Sequence, residues 1–477
     1  MPSHTECGIV GIWTSPTVRD PTTPFQPFLT PPLALTALRA LQHRGSDTWG
    51  LATIDPRTQE SINTQVGPGL VPMQEEAEVK DYQRFLTGAL GHVRYATDGG
   101  KERVLRDAHP VMSGSCRGAF AVAFNGHIGE DSLSGNTGDV HRVVRYIADH
   151  PAPDWGAVVR DLLVAVPSAY SLVVLTSSGL WCARDRFGYK PLIAATIYNK
   201  VGVAVAFAVA SERAAIRVAA EEAGLFSGME THALTPGASL WIGNGGITEM
   251  RQDKRLMPLP LERRCSLEVI YFMRPDSRFD AVNIEDFRHQ CGVMLAQEDA
   301  RAGIDFDFHR TLVVGCPKSG LVAGGGYAAG ASLVHSQALK VSDKAVRSFI
   351  QPTQEARQQT VRKKLYVAGS LKGKDVILVD DSIVRGNSIV HTVRMLRDAG
   401  ARKVHVRIAS PPVVNVCRWG VDIPDIEELF AAKEPPTAER IGADSLRYLS
   451  REQLTRATGS RGWCQACFTS ADADPSH

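Results

Sequence analysis

Residues 376–388, VILVDDSIVRGNS, carry the densest chemistry in the chain. An apolar run ends in two adjacent carboxylates, Asp380 and Asp381. A turn through Ser382, Arg385 and Gly386 follows, and Asn387 and Ser388 open what reads as a helix. Paired carboxylates at the carboxyl end of a strand can hold ribose hydroxyls or a Mg²⁺, a cation that takes oxygen ligands and shares them with substrate phosphates. The loop amides and the helix start beyond them suit a phosphate, aided by the helix dipole. Gly386 lets the backbone approach such a group closely. An acidic turn in an unrelated α/β protein accounts for an Asp-Asp pair alone, but not for the whole ordered series.

The other chemistry rests on thiols. The 477-residue chain holds nine cysteines, an odd number that argues against a disulfide framework in a long intracellular protein. Cys464 and Cys467 form a C-x-x-C, which by itself suits a redox pair, half a zinc site or no function. Cys7, just before GIVGIW, by itself reads as a small buried residue at a strand start. Cys116, Cys182, Cys291 and Cys316 lie in apolar or mixed contexts and read as packing residues.

The elements that must carry these residues change character along the chain. The first half has short apolar runs broken by Gly, Asn and Asp: GIVGIW at 8–13, AFAVAFNG at 119–126, AYSLVVLTSSGLWCARD at 169–185 and VGVAVAFAVAS at 201–211. These predict stacked strands, with helices over 33–45 and 139–150 between them, hence a sandwich with its sheets inside. The polar, Pro-containing RQDKRLMPLPLERR at 251–264 marks a domain boundary. Strand and helix signals then alternate, with strands TLVVGC at 311–316, DVILVD at 375–380 and KVHVRIAS at 403–410, and a helix SIVHTVRMLRDAG at 388–400. That alternation predicts a parallel α/β sheet. The expected organisation is a first domain over 7–255, a second over 256–430, and a charged tail over 431–477 with a few helical turns that ends in the cysteine pair.

Bulk composition is that of a soluble globular protein, with 44% hydrophobic and 22% charged residues. A net charge of +2 gives no general surface for nucleic acid, so phosphate chemistry must be local. No apolar run approaches a membrane span, and the start does not read as a signal peptide, so a cytoplasmic location is expected.

The 376–388 segment resembles the phosphoribosyl diphosphate motif of type I phosphoribosyltransferases, and more narrowly that of the amidophosphoribosyltransferases. CSLEVIYFMRPDS at 265–277 and SFIQPTQEARQQTVRKKL at 348–365 are similar to further segments of that family. In the first half GHVRYAT at 91–97, FNGHIGE at 124–130, GNTGDVHRVV at 135–144, LQHRG at 41–45 and RDRFGYKPL at 184–192 match in order. The resemblance implies an αββα glutaminase sandwich of the N-terminal nucleophile type, joined to a type I phosphoribosyltransferase domain. It implies removal of residues 1–6 as a propeptide, which leaves Cys7 as a nucleophile whose own α-amino group is the base; an α-amino pKa near 8 leaves a useful neutral fraction at neutral pH. It implies that Arg94 binds the glutamine α-carboxylate, Asp139 its α-amino group, and Asn125 with Gly126 the oxyanion. In the second half it implies Mg²⁺ on Ser319, Asp380 and Asp381. Lys318 and Arg347 would meet the diphosphate. The loop Ser382, Ile383, Val384, Arg385, Gly386, Asn387 and Ser388 would meet the 5-phosphate. Some bacterial members carry a [4Fe–4S] cluster at places that Cys265, Cys417, Cys464 and Cys467 occupy here; four thiolates also suit zinc. A homodimer or homotetramer and feedback by purine nucleotides are further implications. His109, in AHP, is assigned no role.

The chain departs from the family pattern in places. Lys318 stands where the diphosphate loop usually has an acid. The lid, KVSDKAVRS at 340–348, keeps Arg347 and Lys344 but lacks the usual Asn-Arg-Tyr portion. The phosphate loop ends Gly-Asn-Ser rather than Gly-Thr-Thr, and Ser-Asp-Thr-Trp-Gly follows HRG. These changes leave two other readings: a paralogue doing related ammonia transfer in a specialised pathway for nucleoside-like products, and a glutaminase whose second half only senses nucleotides.

Overall fold

The computed structural model describes residues 7–14, 30–54, 61–73, 86–95, 101–129, 132–133, 137–225, 228–250, 252–257, 262–341, 365–421, 423 and 425–470. The six-residue leader, Arg347, Lys344 and most of the lid and the 348–365 segment lie outside these. The chain forms two compact units. One is Met1–Arg264 with Arg278–Asp280 and Arg418–Asp422; the other is Cys265–Ser277, Ala281–Cys417 and Ile423–His477.

The first unit stacks a seven-stranded sheet on a six-stranded one. Alternation along each central strand explains the layering. In Cys7–Thr14, Ile9 and Trp13 point into the core between the sheets, while Val10 and Ile12 point to the outer core with helices Thr30–Ala40 and Arg213–Glu222. In Gly118–His127, Ala121 and Ala123 face the other sheet. Phe120, Val122 and Phe124 face helices Asp139–Asp149 and Trp155–Ala165. The result is four layers, αββα, with the central strands Cys7–Thr14 and Gly118–His127 apolar on both faces. Small residues let the sheets approach: a Cβ on Gly11 would stand 2.9 Å from Leu180 and Val209 side-chain carbons.

The second unit is a five-stranded, all-parallel sheet. Its strands run Val334–Ser336, Thr311–Gly315, Asp375–Asp380, Lys403–Ile408, Ser445–Tyr448 across the sheet. Numbered along the chain this is 2-1-3-4-5, so the order reverses between Thr311–Gly315 and Asp375–Asp380. Helices Ile284–Arg301 and Gly320–Ala331 pack at backbone distance through glycines. A Cβ on Gly292 would meet the Ala323 carbonyl at 2.0 Å, and one on Gly326 the His289 carbonyl at 2.0 Å. Buried Asp299 accepts hydrogen bonds from Arg407 Nε (2.6 Å) and the Tyr327 hydroxyl (2.5 Å), joining a helix to the sheet.

Two expectations differ from what is observed. The 431–477 tail is not only helical: besides helix Arg451–Thr458 it supplies the edge strand Ser445–Tyr448. Cys182, Cys291 and Cys316 are buried, but Cys116 is exposed, because it sits in the two-residue turn between Val111–Ser115 and Gly118–His127.

Candidate functional site

The first site lies at one end of the sandwich. Cys7 begins its strand in register with Arg94, the last residue of the antiparallel strand Gly88–Arg94. The LQHRG motif has a mechanical reason: buried Arg44 donates from Nε to the Cys7 carbonyl at 2.9 Å and from Nη1 to Glu212 at 2.8 Å. Glu212 compensates the guanidinium and also holds His43 at 2.7 Å. Gly45 is required beside them, because a Cβ there would fall 2.5 Å from the Arg94 backbone.

The second sheet brings Asn125 and Gly126. Asn125 is fully buried, and neither its Nδ2 nor its Oδ1 has a hydrogen-bond partner. An unsatisfied buried amide is costly unless something else binds it. Gly126 has φ +151°, and a Cβ on it would stand 2.1 Å from the Ala169 carbonyl, so no other residue fits.

Arg94, Asp107, His109, Gly126 and Asp139 line one cavity. Arg94 is buried and anchored by the Val104 carbonyl at 3.2 Å, which leaves a guanidinium edge for a carboxylate. Asp139 opens its helix and is held from three sides: the His127 ring at 3.1 Å, the Ile128 amide at 3.0 Å and Arg142 at 2.5 Å. Burial opposes ionisation of Asp139, yet His127, Arg142 and the Ile128 amide outweigh it and hold the group below the usual carboxylate range. The ring of His109, in the cavity wall, lies 4.2 Å from that of His92. His92 Nε2 donates to the Phe124 carbonyl at 3.1 Å, and His109 Nδ1 accepts from the Phe124 amide at 3.3 Å. Burial lowers His92 to about 3 and His109 well below its ordinary value, so both rings are neutral. A chain with a neutral His pair, a guanidinium and a buried amide here can bind an α-amino acid and stabilise a tetrahedral oxyanion beside a thiol.

The motif RDRFGYKPL supports this end of the sandwich. Asp185 accepts from the amides of Phe187 (2.8 Å) and Gly188 (2.7 Å), and Arg184 donates to the carbonyls of Gly188, Lys190 and Leu234.

The second site falls where the strand order reverses in the second unit, the place where open α/β sheets bind ligands. Strand Thr311–Gly315 leads into Cys316-Pro317-Lys318-Ser319, and strand Asp375–Asp380 into the 381–388 loop; the two strands pair directly, Gly315 opposite Val379. The Pro317–Lys318 peptide is cis, and Lys318 is exposed. Gly320 makes the approach possible, since a Cβ there would meet the Val379 carbonyl at 2.5 Å and Asp380 Oδ1 at 3.3 Å. The Asp381 amide donates to Asp380 Oδ1 at 2.9 Å, and the Ser382 hydroxyl to Asp381 Oδ1 at 2.7 Å. Burial first, and Asp381 second, push Asp380 well above the usual carboxylate range; burial likewise raises Asp381 against Ser319 and Ser382. Such a pair is incomplete without a cation, so the donor set suits Mg²⁺. Gly386, at φ +84°, caps helix Asn387–Asp398, and a Cβ on it would strike the Phe430 ring at 2.8 Å. Arg385 pairs with Glu428 at 2.7 Å. Ile383 and Val384 complete the loop: Ile383 is buried and the Val384 carbonyl accepts from the Phe430 amide at 2.8 Å, leaving the first-turn amides of 387 and 388 at the helix mouth.

The four cysteines converge within the second unit. Cys265 sits in a two-residue strand paired with Trp463–Cys464, and Val414 and Asn415 donate to the Cys467 carbonyl at 2.9 and 3.2 Å. Ser266 donates to the Cys464 carbonyl at 2.6 Å. Burial, then Cys464, Cys417 and Cys265, push the Cys467 thiol well above its ordinary value. Among the described residues no three His, Cys, Asp or Glu side chains stand at the geometry of a single-ion site.

The sequence alone gives no role to Arg44, Glu212, His127, Arg142 or Asp107, although Arg44, His127 and Arg142 stand in the motifs LQHRG, FNGHIGE and GNTGDVHRVV.

Comparison with known proteins gives the family. Residues 283–410 match the phosphoribosyl transferase domain family. Amidophosphoribosyltransferase 1, chloroplastic, of Arabidopsis thaliana is 35% identical over 97% of this chain and 78% of its own length. The amidophosphoribosyltransferase of Bacillus subtilis is 32% identical over 97% and 93%, and that of Archaeoglobus fulgidus 33% over 97% of each. The solved glutamine phosphoribosylpyrophosphate amidotransferase of B. subtilis, complexed with ADP and GMP, superposes with a TM-score of 0.78 at 31% identity, covering 97% of this chain and 96% of that one. By relatedness along nearly its whole length, this chain belongs to the amidophosphoribosyltransferase family.

Proposed function

We propose that the chain makes 5-phosphoribosylamine, glutamate and diphosphate from phosphoribosyl diphosphate, glutamine and water, the first step of de novo purine biosynthesis. The carrying observation is the coexistence, in one chain, of a thiol end with an unpartnered buried Asn125 amide and a switch-point loop in which Asp380 and Asp381 stand side by side. Once residues 1–6 are removed, the α-amino group of Cys7 takes the thiol proton and the thiolate attacks the glutamine amide carbon. Asn125 Nδ2 and the Gly126 N–H hold the oxyanion; ammonia leaves with the proton, and water releases glutamate from the thioester. Arg94 and Asp139 hold the amino-acid end of glutamine throughout. In the second unit, ammonia attacks C1 of the ribose and diphosphate departs. Lys318 and Arg347 bind the diphosphate, and residues 382–388 bind the 5-phosphate. Ser319, Asp380 and Asp381 would hold a Mg²⁺, which would supply positive charge for the departing diphosphate.

Cys265, Cys417, Cys464 and Cys467 would hold a [4Fe–4S] cluster in this reading, which would tie the tail to the rest of the second unit. The convergence of four thiols supports a metal group, and the resemblance favours a cluster over zinc. Purine nucleotides are the expected feedback ligands, supported by the ADP and GMP in the related structure. No helix among the described residues is long and apolar enough to cross a membrane, and the cytoplasm is the proposed location. A homodimer or homotetramer is the proposed assembly. Lys318, in place of the usual acid, favours a second reading, related ammonia transfer in a specialised pathway.

The test is anaerobic incubation with phosphoribosyl diphosphate, Mg²⁺ and glutamine, with chemical trapping of phosphoribosylamine and assay of iron and sulfide. Trapped amine with about four irons per chain is expected. Absence of the amine rejects the reaction, and absence of iron with bound zinc rejects the cluster.

A further inference from the structure

We propose that Asp107 is a second carboxylate for the α-ammonium of glutamine, working opposite Asp139 in the same cavity. The inference rests on the glutaminase reading above and adds a specificity-determining residue to it. Asp139 has little capacity left: three protein donors already occupy its two oxygens, and a carboxylate accepts about four hydrogen bonds in all. A cation with three N–H donors needs more acceptors than that.

Asp107 supplies them. Only 8% exposed, it lines the cavity with Arg94, Gly126 and Asp139. Its Oδ1 is buried and has no hydrogen-bond partner. Three basic groups make longer contacts with it: His141 Nε2 at 3.4 Å and Arg106 Nε at 3.5 Å from Oδ1, and Arg94 Nη2 at 4.0 Å from Oδ2. It lies against Gly138, the residue before Asp139, where a Cβ would make an ordinary contact of 3.6 Å with Asp107 Oδ2. His141 and Arg94, against the opposing effect of burial, hold the Asp107 carboxyl below its usual range, so it is charged when the substrate arrives. The wall thus presents a guanidinium for an α-carboxylate and two carboxylates for an α-ammonium, the charge pattern of a free amino acid rather than of a peptide-bonded one.

The test compares glutamine with glutaramate, which is glutamine without its α-amino group, as substrates for glutamate or glutarate release. Wild type, Asp107→Asn and Asp107→Glu are measured as kcat/KM, with thermal unfolding of each as a folding check. The Asn variant should lose about ten-fold or more in preference for glutamine over glutaramate, carried by KM, and the Glu variant should recover part of it. Equal loss on both substrates means that Asp107 only steadies the helix start, and the proposal fails. An unchanged preference overturns it as well. If wild type hydrolyses neither amide, the glutaminase reading itself fails and takes this proposal with it.

Discussion

The two sites of this chain solve opposite electrostatic problems. At the thiol end the charges are balanced by the protein: Arg44 by Glu212, Asp139 by His127 and Arg142, and the histidines of the wall are kept neutral by burial. What is left without a hydrogen bond is a neutral dipole, the Asn125 amide, and one oxygen of Asp107. At the switch point two carboxyls, Asp380 and Asp381, stand adjacent, and burial raises both, with repulsion from Asp381 adding to the rise of Asp380. A site that must stabilise a transient oxyanion is best prebuilt from dipoles and needs no arriving ion. A site that grips a polyanionic donor through a cation must keep its anions in wait.

Four perturbations sharpen this contrast, from the largest effect to the smallest. Cys7→Ala should reduce glutamate release from glutamine by about 10⁴-fold or more, while ammonia still supports diphosphate release; loss of both activities would break the division of labour. Asn125→Ala should cost about 10²–10³ in kcat for glutamine with little change in KM, as expected for a donor that acts on developing charge. A pure KM effect would make Asn125 a substrate clamp instead. Asp381→Asn should lower diphosphate release by about 10²-fold and raise the Mg²⁺ concentration needed, leaving glutamate release without the donor intact. An unchanged Mg²⁺ requirement would remove Asp381 from the cation.

The smallest effect is on stability. An unfolded histidine takes up a proton as pH falls through 6.5, whereas His92 in the folded chain stays neutral down to about 3. Its folded value is depressed, so the stability it contributes is present above pH 6.5 and is lost as pH falls, by ~1.4 kcal/mol per unit. Between pH 6.5 and about 5, a His92→Gln variant should therefore lose ~2 kcal/mol less than wild type in denaturant unfolding. Parallel losses would mean that His92 is protonated in the folded protein.

Much of this was legible in sequence, for reasons that can be named. Gly118–His127 reads as a strand apolar on both faces because it lies between a second sheet and a helix layer. Asp375–Asp380 reads as a parallel strand because its apolar run stops where the ligand loop starts. Gly126 and Gly386 stand in their motifs because a Cβ would collide with the Ala169 carbonyl or the Phe430 ring. Ser445–Tyr448 was missed because an edge strand of four half-buried residues has no continuous apolar run. Arg44 and Asp107 were missed as actors because their partners, Glu212 for one and the cavity around Asp139 for the other, are remote in sequence and meet them only after folding.

The most direct test of the account measures glutamate and diphosphate together, on anaerobically prepared protein given glutamine, phosphoribosyl diphosphate and Mg²⁺. Equal release of both is the predicted result. Glutamate without diphosphate would contradict it, because the second site would then not use this donor.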